Sequence, residues 1–356
     1  MLNLCLTFDY ELFFNETSYS EEEVLIKTTC DILGILDKNN VKGTFFADVS
    51  SILRYKELKI DEFPDLAEKQ LKQILCDGHD VQLHIHPHWY TSNIIDGKWN
   101  FGNENYRIHS FGFGNAMKVN ANSIVAESTE YLNSLLRQVD SQYSCIAYRA
   151  GGFCIQPETE LFKILKKNGI LIDSSVCKGI YKDSGIHYYS YFNLPKEINW
   201  WFAPEKGIGV SVERDIENNM FEVPVGSISK VPLKWIISKG SPKITSTPLR
   251  GMRSPQSLVQ NSKINKIYSR LISFFRHSLI FTLDSLHYKS LEKFVKYYLK
   301  IYDCSKNDVY ITIICHPKFS SNQIIENMDQ FIKLINNNYE QVKFVTLKEI
   351  YDKVGK

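Results

Sequence analysis

Apolar positions fall into two recurring patterns along the chain. Short dense runs alternate with longer stretches at helical spacing. The run Leu2-Asn3-Leu4-Cys5-Leu6-Thr7-Phe8 predicts a buried strand over residues 2–8. Residues 21–38 carry apolar positions three and four apart. Glu21, Glu22 and Glu23 stand in the first turn, where the helix dipole favours them, so a helix is expected. The alternation then continues: strand 43–48, helix 64–77 opening at Pro64 and stopping at Gly78, strand 80–85, helix 121–138, strand 144–148, helix 157–168 and strand 170–175. Residues 186–225 read as β structure. Helix 287–302, strand 309–315, helix 322–337, strand 342–345 and helix 347–353 finish the chain. Strands alternating with helices imply parallel β/α units, as an open sheet or a barrel. Two stretches break the rhythm. Residues 89–118 are polar and aromatic, a long loop of the kind that often carries function. Residues 223–283 contain no Asp or Glu and read as an insertion within one domain spanning 1–356.

Composition narrows the class. Hydrophobic residues make up 44% and charged residues 23% of 356 positions, as in ordinary globular proteins. The net charge of +2 does not steer the whole molecule toward nucleic acid. Arg276 and His277 interrupt the best candidate for a membrane span. The first residues run directly into an acidic cluster without a basic region or cleavage site, so they are expected to be a first strand and the protein cytoplasmic. Eight cysteines at irregular spacing, several inside apolar runs, are expected to be buried, reduced thiols.

Five clusters could carry chemistry, and each follows a different predicted strand. Asp9 and Glu11, two apart, point the same way in an extended segment and would suit a metal ligand plus a general base. Gly78-His79-Asp80-Val81-Gln82-Leu83-His84-Ile85-His86-Pro87-His88 holds four of the nine histidines, and neutral imidazole is the commonest zinc ligand. Pro87 makes a helix unfavourable, so His84 and His88 must converge from a strand end and the following turn. Arg149 precedes Gly151-Gly152 and could orient a carboxylate bidentately. Asp173-Ser174-Ser175 and Cys315-His316-Pro317 complete the set. Taken singly, most of these read equally well as solvated turns, caps or structural residues. In a barrel, the strand ends that bear them would meet on one face.

This ordered set resembles the polysaccharide-deacetylase family, also called carbohydrate-esterase family four. The resemblance rests on the T-F-D segment at Thr7–Asp9, G-H-D-x-x-x-H-x-x-x-H, R-x-G-G, D-S-S and a late apolar strand ending in His-Pro, and it spans residues 7–317. It implies a distorted (β/α) barrel of about seven strands. It also implies hydrolysis of an acetyl group with one divalent metal ion, expected to be zinc. On it, Asp9 is the general base, His84 and His88 are metal ligands and His316 is the general acid. Arg149 holds the base and Asp173 supports the histidine. The commonest family motif has two adjacent aspartates, the second a ligand. Here Tyr10 stands in that place and Glu11, one residue on, fits the ligand position of other branches. With Glu11 turned away, Asp9 or His86 would have to complete the site.

The substrate expected from this resemblance is an N-acylated amino sugar, nucleotide-linked, lipid-linked or in an oligosaccharide, of the kind used in surface-polysaccharide biosynthesis. Two other readings compete. One is an allantoinase-like amidase acting on a non-sugar amide. The other is a non-catalytic carbohydrate-binding barrel using Trp89, Trp99, Trp200 and Trp201 as stacking platforms. The acid-free stretch adds one more expectation. Ten basic residues, among them Lys263, Lys266, Arg270 and Arg276, are interleaved with Ile267, Tyr268, Leu271, Ile272, Phe274 and Phe275. That composition suits either a solvated basic face or peripheral contact with an anionic membrane at the inner leaflet.

Overall fold

The computed structural model describes residues 1–14, 19–114, 118–228 and 279–355. The central part of the basic stretch, and with it the membrane expectation, lies outside the described residues. Among the described residues, no helix is long and apolar enough to cross a membrane.

The strands in chain order are β1 (Leu2–Tyr10), β2 (Thr44–Asp48), β3 (Asp80–Ile85), β4 (Asn93–Ile95), β5 (Lys98–Asn100), β6 (Ala147–Ala150), β7 (Ile172–Asp173), β8 (Tyr181–Asp183), β9 (Tyr188–Ser190), β10 (Trp200–Phe202), β11 (Met220–Glu222), β12 (Ser227–Ile228), β13 (Leu279–Ile280), β14 (Val309–Cys315) and β15 (Val342–Phe344). The α-helices are α1 (Lys27–Lys38), α2 (Val49–Leu58), α3 (Phe63–Cys76), α4 (Ala121–Leu136), α5 (Thr159–Lys167), α6 (Tyr288–Ile301), α7 (Asn322–Asn338) and α8 (Leu347–Val354). Helix α2 was not expected from the spacing of apolar residues. Helix α4 starts where Asn120 and Ser123 form a reciprocal capping box, which satisfies two of the first turn's free N–H groups. The expected loop 89–118 contains the β4–β5 hairpin and short 3-10 turns.

β1 is buried along its whole length and pairs in parallel with β14, β2 and β15. Such two-sided burial explains its near-continuous apolar sequence. The parallel wall runs β14-β1-β2-β3-β6-β7-β11. It curls back on itself just past β11, where Val225 bridges Cys177 on one side and Thr312 of β14 on the other. The closing hydrogen bonds are Val225 N to Val176 O at 2.9 Å, Gly226 N to Thr312 O at 2.9 Å and Thr312 N to Pro224 O at 3.1 Å. This is a distorted, seven-stranded (β/α) barrel.

Two expectations change at this point. The ends of the stretch 223–283 are structural: 223–226 close the barrel, and Thr282 lies beside Ile314 of β14. Of the eight cysteines, Cys30 and Cys76 are exposed rather than buried.

Candidate active site

The parallel register brings the C-terminal ends of the strands together. Asp48 at the end of β2 pairs with His84 of β3, and His84 pairs with Arg149 of β6; Phe8 pairs with Cys315 of β14. Asp9, Glu11, His84, His86, Arg149 and His316 therefore share one end of the barrel, where such folds build their sites.

Arg149 organises the floor. Its side chain is fully buried, and all its donors are used: Nε to Ser174 O at 2.9 Å, Nη1 to Thr7 Oγ1 at 2.8 Å and to Asp9 Oδ1 at 2.6 Å, Nη2 to Ser174 Oγ at 3.0 Å and to Thr312 Oγ1 at 3.2 Å. The guanidinium also lies 4.2 Å from the centre of the Phe46 ring. Burial alone would raise the Asp9 carboxyl, but Arg149, with His84 and His316, holds it below the usual range. Breaking such a buried pair leaves an uncompensated charge, at a cost of about 3–5 kcal/mol.

Glu11 is 4% exposed and stands between two sets of partners. Its Oε2 is 3.3 Å from His84 Nε2 and in close contact with His86 Nε2. Its Oε1 is 2.9 Å from Lys318 Nζ and 3.6 Å from His316 Nε2. Burial would raise this carboxyl too, yet Lys318, His86 and His84 hold it well below its ordinary value. His84 donates Nδ1–H to the Arg149 carbonyl at 2.7 Å, which leaves the lone pair on Nε2 facing Glu11. One donor atom from each of Glu11, His84 and His86 lies within 4.8 Å of the others. Two imidazole nitrogens and a carboxylate oxygen are the donor types of catalytic zinc sites. The residues present fit a divalent ion.

The possible ligands that lie together differ from the expected set at one position. His86, held in reserve by the sequence reading, joins Glu11 and His84 in this group; His88 is not among its members. His88 is 1% exposed, and among the described residues neither ring nitrogen has a hydrogen-bond partner. It stacks on Tyr106 at 5.0 Å, with Phe14 and Phe101 edge-on. Burial holds its pKa well below the ordinary value, so it stays neutral. Gly151 is what lets His86 reach its place: a Cβ there would fall 2.7 Å from His86 Nδ1 and 2.7 Å from the Ile85 carbonyl. Gly152, at φ +57°, would carry its Cβ into His187, 2.6 Å from Nε2.

His316 is held by a residue to which the sequence reading gave no role. Asp284 accepts from His316 N at 2.8 Å and pairs with His316 Nδ1 at 2.7 Å, which aims Nε2 at Asp9 Oδ2, 3.6 Å away. Burial lowers the imidazole pKa, but Asp284, Asp9 and Glu11 together raise it to about 9. Asp173, expected beside this histidine, instead accepts from Ser175 N at 3.1 Å and Oγ at 2.8 Å and lies against the carboxyl of Glu222. The signal for Asp284 was present in the sequence, an acid directly after the apolar Phe281-Thr282-Leu283, but the acid-free count stopped one residue short of it.

No family model matches the chain, and no curated protein matches it in sequence. Its fold is similar to those of solved carbohydrate-active enzymes. A polysaccharide deacetylase from Mycobacterium smegmatis aligns at 14% identity and a TM-score of 0.47, covering 99% of this chain and 90% of that one. A family 4 acetyl xylan esterase from Clostridium thermocellum, solved with a cobalt ion, aligns at 11% identity and a TM-score of 0.39, covering 100% and 92%. A 4-alpha-glucanotransferase from Thermococcus litoralis also reaches a TM-score of 0.47 at 13% identity, covering 99% of this chain and 40% of that one. At these values the likeness carries no argument about activity, which must rest on the site itself.

The platforms of the binding-module reading are only half available. Trp89 is fully buried and Trp200 is 3% exposed, while Trp99 and Trp201 are partly exposed. A cavity of about 440 Å³ borders Leu12 and Phe13, just past Glu11, and is lined by Tyr19, Glu21, Tyr55 and Trp99.

Proposed function

We propose that the protein is a metal-dependent hydrolase that removes an N-acyl group, acetyl in the simplest case, from an amino sugar. The observation that carries this reading is the convergence of His84 Nε2 and His86 Nε2 on one oxygen of Glu11, beside Asp9 and His316. Glu11, His84 and His86 would hold the ion. It would supply Lewis acidity for the acyl carbonyl and a more acidic water.

The chain's own residues provide the proton chemistry. Arg149 fixes one oxygen of Asp9, so the other, Oδ2, is free to accept a proton from the attacking water. Asp284 keeps His316 charged near neutral pH, so its Nε2 can protonate the leaving amine. Base and acid sit 3.6 Å apart, within reach of one tetrahedral centre. The aromatic-lined cavity beside Phe13 supports a carbohydrate as the substrate class, since sugar rings stack on exposed aromatic faces. A nucleotide-linked or lipid-linked precursor of a surface polysaccharide is the proposed form. Zinc is the proposed ion.

A panel of N-acetylated and O-acetylated sugars, assayed for acetate release with and without a chelator, tests the reading. Release from an N-acetyl sugar that stops on chelation and returns with zinc is expected. Release that is indifferent to chelation would reject the metal. Cleavage confined to non-sugar amides would favour the allantoinase-like alternative.

A further inference from the structure

Lys318 lies two residues past His316, in the short turn Pro317–Phe319 that follows β14. Its side chain is 5% exposed. The ammonium pairs with Glu11 Oε1 at 2.9 Å and donates to the Leu12 carbonyl at 2.9 Å. The rings of Phe13, Phe14 and Phe319 surround it at 5.3, 4.6 and 5.5 Å. Burying an ammonium is costly unless a charged partner offsets it. Ring faces return only a small part of that cost. The carboxylate that offsets the rest is the one facing His84 and His86.

The two oxygens of Glu11 are thus divided. Oε2 faces the two imidazoles, and Oε1 is held by Lys318. We propose that Lys318 is a positioning residue that confines Glu11 to a single oxygen for the metal ion, an inference that rests on the metal-dependent reading above. A carboxylate with both oxygens free can bind a cation through one or both of them. A second carboxylate oxygen on the ion would take a place that catalytic sites keep open. The ammonium engages that second oxygen, and the phenylalanine box and the Leu12 carbonyl keep the ammonium from leaving.

Cobalt(II) used in place of zinc gives the site a visible spectrum that reports how many donors surround the ion. Lys318→Met keeps the aliphatic stem inside the phenylalanine box and removes the charge. The wild type should take up about one cobalt per chain. Lys318→Met should take up cobalt as well, with weakened visible bands as the freed carboxylate chelates. Its turnover should fall roughly 10- to 100-fold, the usual effect of losing a partner that orients a ligand. Lys318→Gln, which keeps a donor for Oε1, should recover part of both. In a Glu11→Gln background, Lys318→Met should lower turnover no further. A folded Lys318→Met protein with the wild-type spectrum and turnover would overturn the proposal, as would one that loses cobalt altogether. Should Lys318→Met fail to fold, Lys318→Gln is judged by the same two readouts against wild type. Wild-type protein that takes up no cobalt would instead sink the metal reading itself.

Discussion

His316 carries an imidazole caught among three carboxylates. Asp284 touches Nδ1, while Asp9 and Glu11 flank Nε2 at 3.6 Å each. The sign of the effect follows from those contacts. A histidine raised to about 9 is protonated below that pH, so it can act as an acid across the neutral range and loses that ability as pH rises through 9. Its contribution to stability runs the same way: complete below about 6.5, the ordinary histidine value, and lost as pH rises through 9. Asp284→Asn should move the alkaline limb of the kcat/KM profile from near pH 9 down toward roughly 6.5 or lower. An alkaline limb unmoved in that variant would show that another group donates the proton.

Much of this site was legible at residue scale. Asp9, Glu11, His84, Arg149 and His316 each stand at the end of an apolar run, and each arrives where the parallel strands converge. The different placements of His86 and His88 also follow from the sequence. Residues two apart in an extended chain face the same way, so His84 and His86 share a side, whereas Pro87 starts a turn that carries His88 among aromatic rings. The family resemblance assigned His84 and His88 as ligands, reached from a strand end and the following turn. Asp284 and Lys318 were not legible as partners. Their contacts cross more than 30 residues for one and about 300 for the other, and no local pattern reports that.

Among the elements, β11 carries the largest departure from expectation. It pairs in parallel with β7, and the register sets Glu222 directly beside Asp173. Both are fully buried, and the two carboxyls share a hydrogen bond. Burial pushes Asp173 to about 6, although its hydrogen bonds with Glu222 and Ser175 hold it back, and burial together with the Asp173 carboxyl pushes Glu222 well above the ordinary range. Carboxyls raised in the folded state favour folding most at low pH, and that contribution is lost as pH rises through their folded values. Glu222→Gln removes the charge and supplies permanent donors. It should raise the thermal midpoint by roughly 1–2 °C at pH 8, the shift that goes with about 1 kcal/mol in a chain of this length, and change it little at pH 4.5. Equal midpoints for variant and wild type at pH 8 would mean that the pair is not under electrostatic strain. The long central strands and the capped helices could be read from periodicity. The closing segment 223–226 could not, because it is held by single bridges to Cys177 and Thr312 rather than by a repeating ladder.

At the scale of the whole molecule, barrel closure sets the contacts that cross the barrel, such as the bond from Arg149 to Thr312. The curl that joins β11 to β14 through Val225 turns an open parallel sheet into a wall whose strand ends share one face. That bond, from β6 across to β14, goes with the curl, whereas Asp9, the histidines of β3 and His316 already lie on or just past the consecutive strands β14-β1-β2-β3. Alternation alone left open sheet and barrel as equals, since both alternate strand and helix in the same way, and it was the family resemblance that pointed to the barrel. The neighbouring ends of β1 and β3 bring together a three-donor group of Glu11, His84 and His86, with His88 beside it but outside. Metal content of purified wild type, His84→Ala, His86→Ala and His88→Asn, measured under one loading protocol on folded protein, tests this most directly. About one ion per chain in wild type and His88→Asn, with little or none in His84→Ala and His86→Ala, is the predicted result. Full occupancy in His86→Ala together with loss in His88→Asn, or no ion in the wild type at all, would contradict it.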